Sequence, residues 1–284
     1  MSVVTASVGR RDALVAKATS LALQTFPRDR FEWRVALDGV GDAAATRIEA
    51  DLRAALPNDL ALTVVRTGGV GAGPARDAAA AGARFPVLLL SDDDCLLDPD
   101  VVAHHAEAQR RPATYVGGVT FEPDVDARPT RVVPPRRPGW WRVAGANTSV
   151  PTEAFVRVGG FGTDLVGYGG EDVWLGWRLR EAGVAMLGLP SAHVRHLGPD
   201  PRAAGDVAKG YAAGRNAARI ARWAPATAWR LGVHPLLRWG KRLLFAVPVG
   251  VRTPRWAYER AYAEGVAREM HGGSAAFESG VGPR

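Results

Sequence analysis

The stretch PVLLLSDDDCLLDPD, residues 86–100, decides how the rest of the chain is read. PVLLL has no polar alternation, which is how a strand covered on both faces reads. The three acids that follow it emerge at the carboxyl end of that strand, where an open parallel sheet binds its ligands. Consecutive carboxylates repel one another unless a cation or hydrogen-bond donors satisfy them. In an extended segment Asp92 and Asp94 point to one side. Hard oxygens in that place suit Mg²⁺ or Mn²⁺. Part of the segment also has a structural reading: Asp98 as a helix cap, with Pro99 at the first helical position.

Working outward, short apolar runs alternate with helical patterns. Val3–Val8 reads as a strand, and Arg11–Phe26 as a helix with Leu14, Ala18, Leu21 and Leu23 near one face. Trp33–Leu37 is a strand, Asp42–Leu56 a helix, Ala61–Arg66 a strand and Gly73–Ala83 an alanine-rich helix. Such alternation predicts an α/β fold, Rossmann-like, whose mostly parallel sheet carries helices on both faces. GGVGAGPARDAA, residues 68–79, is a glycine-rich turn that lacks the dinucleotide register and the phosphate-loop lysine, yet places Arg76 where it could lie against a nucleotide. Residues 122–142 hold five prolines and five arginines and read as a loop ending in Trp140 and Trp141. Two rings of that size either anchor the loop or stack on a ligand.

The chain has 284 residues and a formal charge of +7, unevenly spread: residues 201–284 hold 14 Lys+Arg against 5 Asp+Glu, or +9, and residues 1–200 hold 22 against 24, or −2. The boundary expected near residue 200 separates a nearly neutral body, 1–200, from a basic Trp/Arg-rich helical extension, 201–284. Trp223, Trp229, Trp239 and Trp256 interleave there with Arg222, Arg230, Arg238, Lys241, Arg242 and Arg255, a composition suited to a membrane interface. A solvated helical appendage is the plainer reading. No nucleic-acid-binding signature accompanies the charge, so no nucleic-acid partner is expected. A single cysteine, Cys95, argues against a disulfide framework or a thiolate metal cage. The N-terminus meets charge within ten residues and shows no cleavage site. A cytoplasmic protein is expected, with peripheral contact at the inner face of the membrane.

Two further constellations bear chemistry. In GYGGEDVWLGWRLREAG, residues 167–183, glycines bracket Tyr168 before Glu171 and Asp172 open an amphipathic helix. Acids in a helix's first turn are favoured by its dipole alone. An ionised carboxylate beside a flexible glycine turn is also a candidate general base for a hydroxyl. In PSAHVRH, residues 190–196, His193 and His196 face opposite sides of a regular strand, so both reach one ion only if the segment bends.

These constellations, in this order, resemble the family 2 glycosyltransferases of the GT-A fold. They also resemble the C-terminal motif of the galactosyltransferase type. The likeness covers roughly residues 2–200 and is most specific over 144–196, in AGANTSVPTEAFVRVGGF, GYGGEDVWLGWRLREAG and PSAHVRH. VVTASVGR, residues 3–10, resembles the opening nucleotide-binding strand and loop, and VALDGVGD, residues 35–42, the second strand's acidic turn.

The resemblance implies a metal-dependent, inverting transfer of a hexose or N-acetylhexosamine from a nucleotide sugar, UDP-linked by preference. The acceptor would be a glycan, lipid-linked or small-metabolite hydroxyl. Ser7, Arg10, Asp38, Arg76, Asp92 and Asp93 would bind the donor. Asp94 and His196, with His193, would hold Mn²⁺ or Mg²⁺. Asp172 would be the base, with Glu171 orienting the acceptor. Tyr168, Gly169, Gly170, Trp140 and Trp141 would contact the acceptor. The chain departs from the family pattern at Leu37 and Val40, at Asp77 where asparagine is common, and at Trp174 where an acid often stands. Two rival readings are a catalytically silent nucleotide- or sugar-binding protein recruited to a membrane, and a sugar nucleotidyltransferase.

Overall fold

Alternate residues of the central strands enter two different cores. The computed structural model describes residues 1–122, 129–165, 167–246 and 253–272. Its elements begin with β1 (Ser2–Ser7), α1 (Arg11–Ala22), β2 (Glu32–Asp38), α2 (Asp42–Ala55), β3 (Ala61–Thr67), α3 (Ala72–Ala80) and β4 (Val87–Leu90). After the acidic turn come β5 (Cys95–Leu97), α4 (Val101–Ala108), β6 (Thr114–Phe121), β7 (Thr130–Val132), β8 (Thr148–Pro151), α5 (Thr152–Arg157), α6 (Glu171–Glu181) and β9 (Met186–His196).

The sheet runs β3-β2-β1-β4-β8-β6-β9-β5, with β7 added beside β6. β3, β2, β1 and β4 are mutually parallel, as are β6 and β9, whereas β8 is antiparallel to both its neighbours. Val3, Val35 and Leu89 pack into the core that also holds Leu14, Leu21 and Leu52 of α1 and α2. Val4, Ala36, Leu88 and Leu90 pack the opposite way, with Ala75, Phe155 and Leu175 of α3, α5 and α6. The unbroken apolar run of β4 is thus explained by burial on two faces.

Three local expectations need correction. α1 stops at Ala22 and Leu23 is exposed. Leu23 lies nine residues from Leu14, half a helical turn out of phase with the buried stripe. The cap at Asp98–Pro99 does not form. Cys95–Leu97 pairs antiparallel with Val194–His196 instead, and α4 starts two residues later with Asp100 at its N-cap. Within the span read as loop, Thr130–Val132 adds a strand and Trp140–Arg142 a single 3-10 turn; residues 123–128 of it lie outside the described residues.

The chain divides into two compact units. The first is Met1–Asp164 with Glu171–Pro199, and the second is Leu165–Gly170 with Asp200–Arg284. In the second, α7 (Pro201–Ala204), α8 (Val207–Trp223), α9 (Pro235–Ala246) and α10 (Pro254–Gly272) follow one another. α8 and α10 approach closely. A Cβ at Gly214 would overlap the Tyr262 carbonyl, and one at Gly265 the Tyr211 carbonyl. Glu269 of α10 binds Arg215, Arg219 and Arg222 of α8, which overcome its partial burial and hold its carboxyl down at about 2. Part of the basic surplus is therefore consumed inside the unit. Residues 273–284 of the expected extension lie outside the described residues. Among the described residues no helix is long and apolar enough to cross a membrane.

Candidate active site

β4 ends in a tight turn, with the Cys95 amide donating to the Asp92 carbonyl at 3.1 Å. This turn splits the three acids between three environments. Asp93 points inward and is buried. It accepts from the Ser7 hydroxyl at 2.5 Å and from Arg10 Nε at 3.0 Å, and Arg10 Nη2 closes a second bond on its other oxygen. Burial pushes its carboxyl pKa up despite these donors. Asp94 takes Arg10 Nη1 on Oδ2 at 2.7 Å. Asp92 turns the other way, to Arg76.

Beneath the turn lies Lys17, fully buried on α1. Its ammonium donates to Ser91 Oγ at 2.6 Å and to the Cys95 carbonyl at 3.0 Å, so one cation clasps both ends of the acid triplet. Burial lowers its pKa, and the acids above it pull the other way. Lys17 and Cys95 carry no role in the sequence reading. The signal for Lys17 was available: it interrupts the stripe Leu14–Ala18–Leu21 on the buried side of α1.

Asp94, Cys95 and His196 form a group whose ligand atoms all lie within 4.8 Å of one another. Antiparallel pairing puts Cys95 opposite His196, and the Leu197 amide donates to the Asp94 carbonyl at 2.8 Å. His196 Nε2 stands 3.4 Å from Asp94 Oδ1, while its Nδ1 is 3.3 Å from the Gly198 carbonyl and Phe121 packs on its ring. A carboxylate oxygen suits Mn²⁺ or Mg²⁺, and an imidazole nitrogen beside it favours the transition metal of the two. Burial among acids raises the Cys95 thiol pKa well above its ordinary value, so it stays protonated and is a poor ligand. His193 is not brought to this group. Its Nε2 pairs with Thr120 Oγ1 at 2.8 Å, on the side of β9 opposite the buried Ala192 and Val194. Burial lowers its pKa.

Arg76 of α3 is the second centre. Buried itself, it binds Asp92 through Nη2. Its Nη1 lies 3.4 Å from Glu171 Oε1 and 3.9 Å from Asp172 Oδ1, both in the first turn of α6. Its guanidinium sits 5.4 Å from the Phe161 ring centre. Gly145 passes so close that a Cβ there would stand 2.8 Å from Arg76 Nη2 and 2.9 Å from Asp92 Oδ1.

Asp172 Oδ1 is buried and has no hydrogen-bond partner among the described residues. Burial raises the Asp172 carboxyl to about 7. Glu171 and Asp92 add to the rise, and Arg76 and the Gly145 amide oppose it. A carboxyl titrating near neutrality is matched to proton transfer at physiological pH.

Other expected residues take different places. Both oxygens of Asp38 are committed to the glycine loop, accepting from Thr67 Oγ1 and from the amides of Gly69, Val70 and Gly71 at 2.7–2.8 Å. These bonds overcome burial and hold its pKa down. Asp38 therefore fixes the turn that leads into α3 and Arg76. Trp140 is buried edge-to-face between Trp141 and Trp177, at 5.6 and 5.1 Å, so it anchors α6 and its faces are not open for stacking. Trp141 is half-buried beside it. Tyr168, Gly169 and Gly170 belong to the second unit. There Asn216 donates to the Gly169 carbonyl at 2.7 Å and the Lys209 ammonium lies 5.1 Å from the Tyr168 ring centre.

An acid turn closing a parallel half-sheet, a histidine-bearing strand beside it and a paired-acid helix joined to the turn through Arg76 define the class: a glycosyltransferase of the GT-A fold. The chain belongs to glycosyl transferase family 2, whose model matches residues 2–157. The model for the N-terminal domain of galactosyltransferase matches residues 133–198. Three solved structures share the fold. A mannosyltransferase, PcManGT from Pyrobaculum calidifontis in complex with GDP-Man and Mn²⁺, has TM-score 0.68 at 18% identity and covers 95% of this chain and 86% of its own. S. aureus TarS 1-349 in complex with UDP has TM-score 0.59 at 14% identity, covering 95% and 91%. GalNAc-T7 with UDP, GalNAc and Mn²⁺ has TM-score 0.61 at 17% identity, covering 98% and 57%.

Two validoxylamine A glucosyltransferases, from Streptomyces hygroscopicus subsp. jinggangensis (strain 5008) and subsp. limoneus, are each 44% identical over 55 residues. The matches cover 17% of this chain and only 13% and 12% of the relatives, so the chain matches a small part of their length.

Proposed function

We propose that the protein is a metal-dependent, inverting glycosyltransferase that moves a hexose or N-acetylhexosamine from a nucleotide sugar to an acceptor hydroxyl. A UDP-linked donor is favoured. The reading is carried by one observation: Asp92 and Asp94 part at the end of β4, one toward Arg76 and Asp172, the other toward His196. A diphosphate lying across that turn has a metal pair on one side and a base on the other. The complexes of the structural neighbours with UDP, GDP-Man and Mn²⁺ support the same donor class.

Asp94 and His196 would hold Mn²⁺ or Mg²⁺, which when bound offsets the charge growing on a departing diphosphate. Asp172, as carboxylate, accepts the proton of the acceptor hydroxyl. The acceptor oxygen then bonds to the anomeric carbon on the face opposite the diphosphate. The bond from that carbon to the diphosphate oxygen breaks, and its electron pair leaves with the nucleotide. One displacement inverts the anomeric configuration. Arg76 keeps Asp172 ionisable, and Glu171 beside it orients the acceptor. Glycan, lipid-linked and small-metabolite acceptors all supply the required hydroxyl.

Calorimetric titration of UDP, with and without Mn²⁺ and against GDP and dTDP, tests the donor site. Binding that tightens sharply with Mn²⁺ is expected. Equal or absent binding in all conditions would overturn the reading in favour of a silent relative of the family.

A further inference from the structure

α9 leaves uncovered the apolar edge that an ordinary surface helix buries. Leu236, Trp239, Leu243 and Leu244 follow helical spacing and stand 66%, 65%, 51% and 57% exposed. The opposite edge, Arg238, Lys241, Arg242 and Phe245, lines an open cavity of about 310 Å³ together with Arg260 and Glu264 of α10. A water-exposed helix normally buries its apolar stripe, whereas here both the apolar edge and Arg242 face water. Four large apolar side chains on one side of twelve residues make a contiguous patch of the kind that marks an interaction surface. Trp229, 59% exposed, adds a further ring just before the helix.

We propose that α9 is an in-plane membrane helix, whose Leu236–Trp239–Leu243–Leu244 edge enters the acyl boundary of an anionic bilayer. Its cations are then held at phosphate depth. Such a helix seats its apolar edge below the headgroups and keeps Lys and Arg on the polar side, with tryptophan at the boundary. Charge selects this occupant over a second copy of the chain. Residues 201–284 carry 14 Lys+Arg against 5 Asp+Glu, so two such surfaces repel, whereas an anionic lipid surface attracts each of them. The inference concerns the second unit alone and does not rest on the transferase reading.

The full-length protein is co-sedimented with vesicles of phosphatidylcholine and with vesicles containing phosphatidylglycerol, at low and high salt. Wild-type protein is expected on the anionic vesicles, with binding weakened by salt. Trp239→Ser combined with Leu243→Ser lowers the partition coefficient at least about tenfold and leaves the melting temperature unchanged or higher, because both side chains face water. Arg238→Gln combined with Arg242→Gln retains apolar binding and loses most of the preference for phosphatidylglycerol. The proposal is overturned if wild-type protein ignores anionic vesicles, or if the Trp239/Leu243 variant binds them as well as wild type. It is equally overturned if wild type forms a dimer that this variant abolishes, because a second copy then covers the edge. None of these readouts requires turnover, so a failed vesicle assay and a failed UDP titration are separate outcomes.

Discussion

One guanidinium, that of Arg76, joins Asp92 at the end of β4 to Asp172 at the start of α6, bonding the first and standing 3.9 Å from the second. The acid that follows the central strand and the candidate base are therefore held by the same buried cation. Arg76 favours the ionised form of Asp172, so its removal lets burial and the neighbouring acids act unopposed. In Arg76→Gln the Asp172 pKa moves above about 7. The acid limb of the kcat/KM profile moves to higher pH by the same amount. Stability falls by about 2–3 kcal/mol in urea titration, below the full cost of breaking a buried pair because the acids are partly open to water. Arg76→Lys keeps the charge and shifts the profile less. Identical profiles for wild type and Arg76→Gln would show that Arg76 does not govern the base.

Asp172 itself ties activity to stability with opposite signs. Its carboxyl is raised from 3.8 to about 7, so the folded protein holds this proton where the unfolded chain has released it. The associated stability is fully present below about pH 4 and is lost as pH rises toward 7. Asp172→Asn removes that loss. The variant is expected to match wild type near pH 4 and to exceed it by about 1–2 kcal/mol at pH 8, since Asn leaves Arg76 with one acid fewer. Turnover falls about 10²–10⁴-fold while UDP affinity persists. Full activity in the variant would remove Asp172 from the chemistry.

The two histidines of β9 stand in different places, His196 beside Asp94 and His193 on Thr120. Asp94→Asn and His196→Ala each weaken Mn²⁺ binding by at least about tenfold, and chelation of metal abolishes transfer until Mn²⁺ is restored. His193→Ala removes only the bond to Thr120, costs about 1 kcal/mol of stability and leaves Mn²⁺ affinity unchanged. Isothermal titration of Mn²⁺ into the three variants decides it. A loss with His193→Ala equal to that with His196→Ala would contradict the geometry.

The strands and the acid turn were legible because burial on two faces writes itself as an unbroken apolar run, as in Val87–Leu90. Asp94, His196 and Asp172 were singled out through the family likeness, because a helix start alone accounts for both Glu171 and Asp172. What the chain hides is who satisfies whom. Asp93 spends itself on Ser7 and Arg10, and Asp38 on three loop amides, because buried carboxylates find donors wherever the fold brings them. Those donors are as far as 86 residues away in sequence, and spacing says nothing about them. Trp140 followed the same logic: a ring of its size was certain to be used, and only the fold shows the use to be packing on Trp177.

That packing makes the last prediction. Gly176 lies on the inner side of α6, one turn beyond Asp172, where a Cβ would overlap the Trp140 carbonyl and stand 2.9 Å from Val143 Cγ2. A backbone oxygen cannot rotate away as a side chain does, so Gly176→Ala must push α6 off the Trp140–Arg142 turn. Alanine favours the helix by about 1 kcal/mol over glycine. The overlap costs more, about 1–3 kcal/mol or beyond. A net loss of stability is expected in urea titration. Glu171 and Asp172 ride on the displaced helix, so kcat falls at least about tenfold, the sensitivity expected when a reacting group shifts by an ångström. Mn²⁺ affinity, proposed to rest on Asp94 and His196, is expected to be unchanged. A variant with wild-type stability and kcat would mean that the turn yields freely, and that Trp140 does not position the base.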